Sequence, residues 1–383
     1  MALHPHWYLP TSGDGRDVVG WVHSRIATTA PRPTDRAPGI DYLADVARAA
    51  ERLGFESLLT PAGTWCEDPW ITTAALLRET RRIGFVVALR PDALNPTLAA
   101  QMAATFQRVS GGRLLLNVVT GSDDEEQQRF GDWLDHDARY ARTAEWLRVL
   151  RGAWSGEPFD HDGTHYRVRG ATVAEAPSPV PPVLLGGSSG PALEAAAEFA
   201  DVHLSWGEPP GDLAPRLARV RELAQRRGRR VGFGVRVHVI TRDTSAEAWA
   251  QADRLLSAMD PAAIELAQAR AARTSSEGQR RMTALHGGRH NGLRDLEVSP
   301  NLWAGFGLLR RHAGTALVGS HQEVAERLAE YHALGIEHVL LSGQPHLEEA
   351  HWFGEGVLPL LRREGLLDDE PPARPRLVPV PVP

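Results

Sequence analysis

Short apolar runs alternate with amphipathic helical stretches along almost the whole chain. Eight of these runs read as strands: residues 6–10, 56–60, 83–89, 113–119, 183–186, 201–205, 232–240 and 336–341. Between Ile40 and Leu53 the positions Leu43, Val46, Ala47, Ala50 and Leu53 fall on one helical stripe, and Gly54 suits a left-handed stop. A buried strand follows from Phe55 to Thr60. The same punctuation returns near the other end. Val324, Leu328 and Tyr331 share a helical face, Gly335 stops it, and Ile336–Leu341 is the next strand. "LGFESLLT" and "LGIEHVLL" are near-copies of one helix–strand joint. Eight strands with helices between them and no second core predict an α/β fold, a (β/α)8 TIM barrel with insertions. A doubly wound sheet is the alternative.

The insertions interrupt this rhythm. Residues 17–38 are polar and rich in Pro and Thr, a loop after the first strand. Residues 157–170 read as a hairpin turning at Asp162-Gly163. Residues 258–300, before the last helix–strand unit, form a long Arg- and Gly-rich segment of the kind used as a lid or a binding loop, with one or two short helices expected, one of them near Pro261–Ala272. No linker divides the chain, so residues 1–370 are read as a single domain and 371–383 as an exposed Pro-rich tail.

Composition narrows the chemistry. The 383 residues carry 42 Lys plus Arg against 48 Asp plus Glu, a net charge of −6, and every one of the 42 is Arg. A chain without Lys has no Walker lysine and no Schiff-base lysine. Its acidic balance argues against nucleic acid as a partner. Cys66 is the only cysteine, so no intrachain disulfide forms, which suits a reducing cytoplasm. The N-terminus shows no signal-peptide pattern and no apolar run approaches the ~20 residues of a membrane span, so neither export nor a membrane partner is expected.

Several motifs carry possible chemistry. Gly186-Gly187-Ser188-Ser189-Gly190 lies between a strand and a helix. It can be read as a G-x-S-x-G nucleophile elbow, as an anion site at a helix N-terminus, or as a plain turn. Arg236 and His238, two apart on a strand, share one face, where they read as an anion clamp and a proton donor or acceptor, or as one inward ion pair with an acid. Trp206 at a strand end could wall a pocket or simply fill core. His286/His290 and His346/His351 lack a ligand frame, so no metal is expected.

Taken in order, longer segments go further: Trp7-Tyr8-Leu9-Pro10-Thr11, Cys66-Glu67-Asp68, Ala88-Leu89-Arg90-Pro91, Asn117 to Asp123, Gly186 to Ser189, and Trp206 to Pro210. Then come Arg236 to Ile240, Gly278 to Met282, Ser299 to Gly305, Ala313 to Gly319, and Pro345 to Ala350. With these the chain resembles, over about residues 6–362, the flavin-dependent alkanesulfonate monooxygenases of the bacterial luciferase-like superfamily. The resemblance implies a luciferase-like barrel that takes reduced FMN from a separate NAD(P)H-dependent FMN reductase. With O2 it would cleave the C–S bond of an organosulfonate, giving sulfite and an aldehyde. It implies Arg236 and Arg310 as sulfonate clamps, His238 as the group that handles protons or holds the oxygen-carrying flavin, and Cys66 near the flavin. Asn117 would contact the flavin ring, and Tyr140, Gly187, Ser188 and Ser189 its phosphate. Trp206 would wall the cleft. The resemblance decides the G-x-S-x-G question against hydrolysis, makes 258–300 a lid, and implies a homodimer or homotetramer.

The chain departs from that pattern at the pocket mouth. Ser12 stands where the family has His, Thr64-Trp65 where it has Arg-Ser, Arg311-His312 where it has a Gly pair, and Gln344 and His351 where it has Tyr. These changes suggest a retained reaction and an altered sulfonate, bulkier or more polar, such as a sulfosugar, met by Trp65, Gln344 and His351. His351 could replace a lost Tyr as a proton donor. The alternatives are a luciferase-like flavin or deazaflavin oxidoreductase with a non-sulfonate substrate, and a flavin-binding protein without turnover.

Overall fold

The computed structural model describes residues 2–18, 35–121, 123–288 and 292–368. Most of the 17–38 insertion, His290 and the 371–383 tail lie outside the described residues. In chain order the first elements are β1 (His4–Tyr8), α1 (Ile40–Leu53), β2 (Ser57–Thr60), α2 (Pro69–Leu76), β3 (Gly84–Leu89), α3 (Pro96–Ser110) and β4 (Leu114–Val118). Next are α4 (Asp124–Arg129), α5 (His136–Ala153), β5 (Phe159–Asp162), β6 (Arg167–Ala171), β7 (Val183–Gly186), α6 (Gly190–Phe199), β8 (Val202–Trp206), α7 (Pro210–Gln225) and β9 (Gly232–Arg242). Then follow α8 (Ser245–Ser257), α9 (Pro261–Ala271), α10 (Glu277–His286), β10 (Glu297–Ser299), β11 (Leu302–Trp303) and β12 (Ala316–Ser320). The last are α11 (His321–Ala333), β13 (His338–Ser342), α12 (His346–Gly356) and α13 (Leu358–Arg363).

Strands β1, β2, β3, β4, β7, β8, β9 and β13 pair in parallel in that order, and β13 returns to β1. The ring is closed, which excludes the doubly wound sheet. The eight strands read from the apolar runs are these eight, though the first lies two residues earlier than expected. The repeated helix–strand joint is also present. Gly54 (φ 96°) and Gly335 (φ 90°) end α1 and α11 in the left-handed region that an L side chain enters only with strain. Val324, Leu328 and Tyr331 are buried on the inner face of α11.

Side chains alternate along each strand. Outward ones such as Trp7, Leu58, Phe85, Val235 and Val237 meet the helices in the main core. Inward ones such as Leu59, Val86, Leu115, Leu184, Val202 and Leu340 fill the barrel in a second cluster. One end of the barrel is closed by polar side chains instead. His6 Nε2 lies 3.0 Å from His338 Nδ1, and His6 Nδ1 lies 2.6 Å from Ser57 Oγ.

Strands β10, β11 and β12 were not legible in the apolar pattern. β12 pairs with residues 238–242 of β9, just past the point where β8 stops pairing at Arg236. The Gly207 N–H donates to Arg236 O, and the His238 N–H donates to Thr315 O, both at 2.9 Å. Strand β9 therefore runs on beyond the barrel rim, supported by a second neighbour. The β10–β11 hairpin extends that edge antiparallel. No helix among the described residues is long and apolar enough to cross a membrane.

Candidate active site

The C-terminal ends of the strands open into a cavity of about 750 Å³. In a barrel of this kind the strand ends can each present a side chain to one space. Of the residues singled out by sequence, the cavity is lined by Trp65, Asn117, Tyr140, Gly187, Ser188, Ser189, Trp206, Arg236, His238, Arg310 and Gln344. The structure does not bring Cys66 or His351 to it.

Arg236 and His238 both face inward from β9, as two residues two apart on a strand must. The alternative reading, one inward ion pair with an acid, has no counterpart among the described residues. The Arg236 guanidinium donates to Ser342 Oγ (2.9 Å), Val237 O (3.1 Å) and Leu340 O (3.3 Å). Arg310 Nη2 donates to Gln344 Oε1 at 2.5 Å. Neither forms an ion pair with a carboxylate among the described residues. Burial lowers the pKa of both, that of Arg236 to about 10, with Arg310 adding its own positive charge.

The His238 ring is held at both nitrogens. Its Nε2 donates to Ala313 O at 3.0 Å, which leaves Nδ1 to accept the Ser342 hydroxyl at 2.6 Å. Ser342 in turn accepts from Arg236. Burial and the nearby arginines push the imidazole well below its usual range. Both ring nitrogens are engaged, so the neutral ring orients Arg236 through Ser342. Ser342 was missed by sequence because the expected strand ended at 341. Carried on at period two, Leu340, Ser342 and Gln344 mark one inward face.

Gln344 holds Arg310 with its oxygen, while its amide N–H donates to Gly15 O. Of the two family tyrosines replaced here, this first position is the one in the cavity. His351 lies outside, on the face of α12 that lines a shallower depression with Asp243, His321 and Trp352. There it sits 2.8 Å from Glu355 Oε1, one helical turn away. Four residues of helix separate it from the end that reaches the mouth. Cys66 lies beside the wall, its sulfur 3.6 Å from Pro61 O and from Gly63 O. Burial pushes its pKa up to about 12, so it is a neutral thiol. Its neighbour Trp65 is the one that reaches the cavity.

At the opposite side of the mouth the turn after β7 forms a cradle. Gly187 has φ 136°, and a Cβ there would collide with the Tyr140 hydroxyl and approach Ala192 Cβ to 2.5 Å. Ser189 precedes α6 without capping it, and its buried hydroxyl has no hydrogen-bond partner among the described residues. Burial pushes the Tyr140 phenol up to about 12, so it keeps its proton. A helix N-terminus, two hydroxyls and a phenol donor fit a phosphate group.

The segment after α8 folds over this mouth. A helix runs Pro261–Ala271, as expected near there, and α10 follows. Arg281 Nε donates to the buried Glu208 at 2.8 Å, and Glu208 also binds Arg216 of α7 at 2.7 Å. Ser275 Oγ donates to Asp124 at 3.1 Å, and Gln279 Oε1 accepts the His312 N–H at 2.7 Å. Arg311, in place of the family glycine, pairs with Asp123.

Asp14 organises the third side. Its carboxylate accepts from the Tyr42 hydroxyl, the Gly15 N–H (2.8 Å) and the His346 N–H (2.8 Å), and lies 2.9 Å from His346 Nδ1. Burial alone would raise its pKa, but His346 and Tyr42 outweigh that and hold it at about 2. A depressed carboxyl stabilises the fold above its unfolded pKa and loses that contribution as pH falls through the folded one. Asp14→Asn is therefore expected to cost about 2 kcal/mol at pH 7. The gap from wild type should close as pH falls from about 4 to about 2. Urea melts across that range check this; a constant gap would contradict it.

The chain belongs to the luciferase-like monooxygenase family, whose model matches residues 21–338. Solved structures at 18–19% identity share the fold. EDTA monooxygenase (EmoA) from Chelativorans sp. BNC1 is 19% identical, with a TM-score of 0.75 over 98% of this chain and 100% of that one. Riboflavin lyase (RcaE), determined with modified FMN and riboflavin, is 19% identical, with a TM-score of 0.76 over 97% and 94%. Long-chain alkane monooxygenase (LadA) is 18% identical, with a TM-score of 0.74 over 97% and 93%.

Proposed function

We propose that this family member is a two-component monooxygenase that uses reduced FMN and O2 to cleave the C–S bond of an organosulfonate, releasing sulfite and an aldehyde. The observation that carries the reading is the pair of cavity guanidiniums, Arg236 and Arg310, without a carboxylate partner among the described residues. Two unneutralised cations in one cavity are costly to the fold and favourable to a permanent anion. Guanidinium forks match the oxygens of a sulfonate.

The cradle of Tyr140, Gly187, Ser188 and Ser189 would hold the FMN phosphate, and Asn117 would meet the flavin ring. Reduced FMN bound there supplies the electrons that activate O2. The protein's own contribution is placement and shelter. Arg236 is oriented by Ser342 and His238, and Arg310 by Gln344. Trp206 walls the cleft, and α9 and α10 cover the mouth, excluding water from reactive oxygen chemistry. A separate NAD(P)H-dependent FMN reductase would supply the reduced flavin. Trp65 and Gln344 line the cavity and favour a sulfonate bulkier or more polar than a short alkyl one, such as a sulfosugar.

The test is sulfite release from a panel of sulfonates, short alkyl to sugar-like, with an FMN reductase, NADH and air. The expected result is sulfite, highest from the larger polar members. No sulfite from any member, in protein that binds FMN, would overturn the reaction.

A further inference from the structure

The cavity contains a polar tip that the assignments above leave unused. Tyr8 is the last residue of β1, paired with Leu59 of β2, and its side chain lines the cavity on the same inward face as His6. Its ring is fixed from two sides. The Arg236 guanidinium carbon lies 5.1 Å from the ring centroid, and the His346 ring lies tilted at 5.3 Å. The hydroxyl makes no hydrogen bond to another described residue.

Its neighbours are different. Arg310 donates to Gln344, and the Gln344 amide donates to Gly15. Both nitrogens of His238 are engaged, and Ser342 donates to one of them while accepting from Arg236. Asp14 is saturated by Tyr42, Gly15 and His346. Among these groups, only the phenol of Tyr8 keeps a hydroxyl proton not yet given to a protein acceptor. A hydroxyl beside two guanidiniums, facing the same space, is placed to meet whatever anion they attract.

We propose that the Tyr8 hydroxyl is a third donor to the anionic head of the substrate, binding one of its oxygens beside Arg236 and Arg310. The proposal rests on the anion reading above and adds a residue to it. Burial, and after it the nearby Cys66, raise the Tyr8 pKa, while the two arginines pull it the other way; the net shift is upward. The phenol therefore keeps its proton at neutral pH, as a donor must. Gln344 is not placed for this part, because its oxygen accepts from Arg310 and its amide nitrogen donates to Gly15 O and, at 3.4 Å, to Asp14 Oδ1.

The test is Tyr8→Phe, which keeps the ring against Arg236 and His346 and removes only the hydroxyl. Binding of butanesulfonate and of inorganic sulfate to the FMN-loaded protein is measured by calorimetry, with FMN affinity measured separately. A hydrogen bond to a charged group predicts that Tyr8→Phe weakens anion binding by about tenfold or more. FMN affinity should stay within about twofold, which also reports a folded cavity. Anion binding within twofold of wild type would overturn the proposal. Wild-type protein that binds sulfonate but releases no sulfite would remove the C–S cleavage reading and leave this comparison standing. Wild-type protein that binds neither anion would overturn the donor role together with the anion site.

Discussion

Arg236→Met is expected to abolish most turnover and, at the same time, to raise the melting temperature. The two effects have one cause. Arg236 sits in the barrel mouth with hydroxyl and carbonyl partners, near a second guanidinium, and no carboxylate among the described residues neutralises it. Replacing it by an apolar side chain of similar length removes a desolvated, repelled charge, and about 1–2 kcal/mol of stability is expected in return. Ser342 still donates to His238, so the acceptor nitrogen of the imidazole keeps its partner. Losing a charged partner of a bound anion costs about 2–5 kcal/mol, so kcat/KM for a sulfonate should fall roughly a hundredfold or more. Thermal melts and steady-state kinetics on the same preparation read both. A variant that loses activity and also melts lower would mean that Arg236 is structural.

Glu208→Ala is expected to have the largest effect on stability. Glu208 is buried between Arg216 of α7 and Arg281 of α10, in the turn just after β8. Truncating it strands the buried Arg216 and releases α10 from the barrel. Breaking a buried pair from one side costs about 3–5 kcal/mol, which in a chain of this size lowers the melting point by about 4–6 °C. The second readout is local. The segment between α9 and α10 should become more open to limited proteolysis, while cleavage within α1 to α6 stays as in wild type. Equal protease sensitivity in both proteins would mean that Arg281 does not hold the lid through Glu208.

Most of the barrel could be read from the chain because its strands are uninterrupted apolar runs and its helices end on glycines such as Gly54 and Gly335. β12 was harder to read: it is five residues long, includes a glycine, and belongs to no barrel face. The site was legible where periodicity carries it. Arg236 and His238, two apart on a strand, had to point the same way, and they do. What each then touches depends on strands far away in sequence. Ser342 and Ala313 occupy both His238 nitrogens, and no local pattern gives that. The same limit explains His351. In sequence it belongs to the segment that begins at Gln344, but α12 turns it to the outside surface, beside Glu355. Tyr8 was visible as part of a motif, while its role, like that of Asp14, comes only from the residues the barrel gathers round it.

The antiparallel bridge between Asp14 and Arg36 ties together the two ends of the long segment that follows the first strand, with the Asp14 N–H donating to Arg36 O at 2.9 Å and the Arg36 N–H to Asp14 O at 2.8 Å. Arg36 is further pinned to Glu348 on α12, and Asp14 to His346. These contacts anchor both ends to α12. Because the entropy of closing a loop grows only slowly with its length, about 0.6 kcal/mol per doubling, a change of length between the two ends costs the closure itself little. The bridge therefore works as a clasp: it sets the position of Asp14, and with it of His346, independently of the length of the connection.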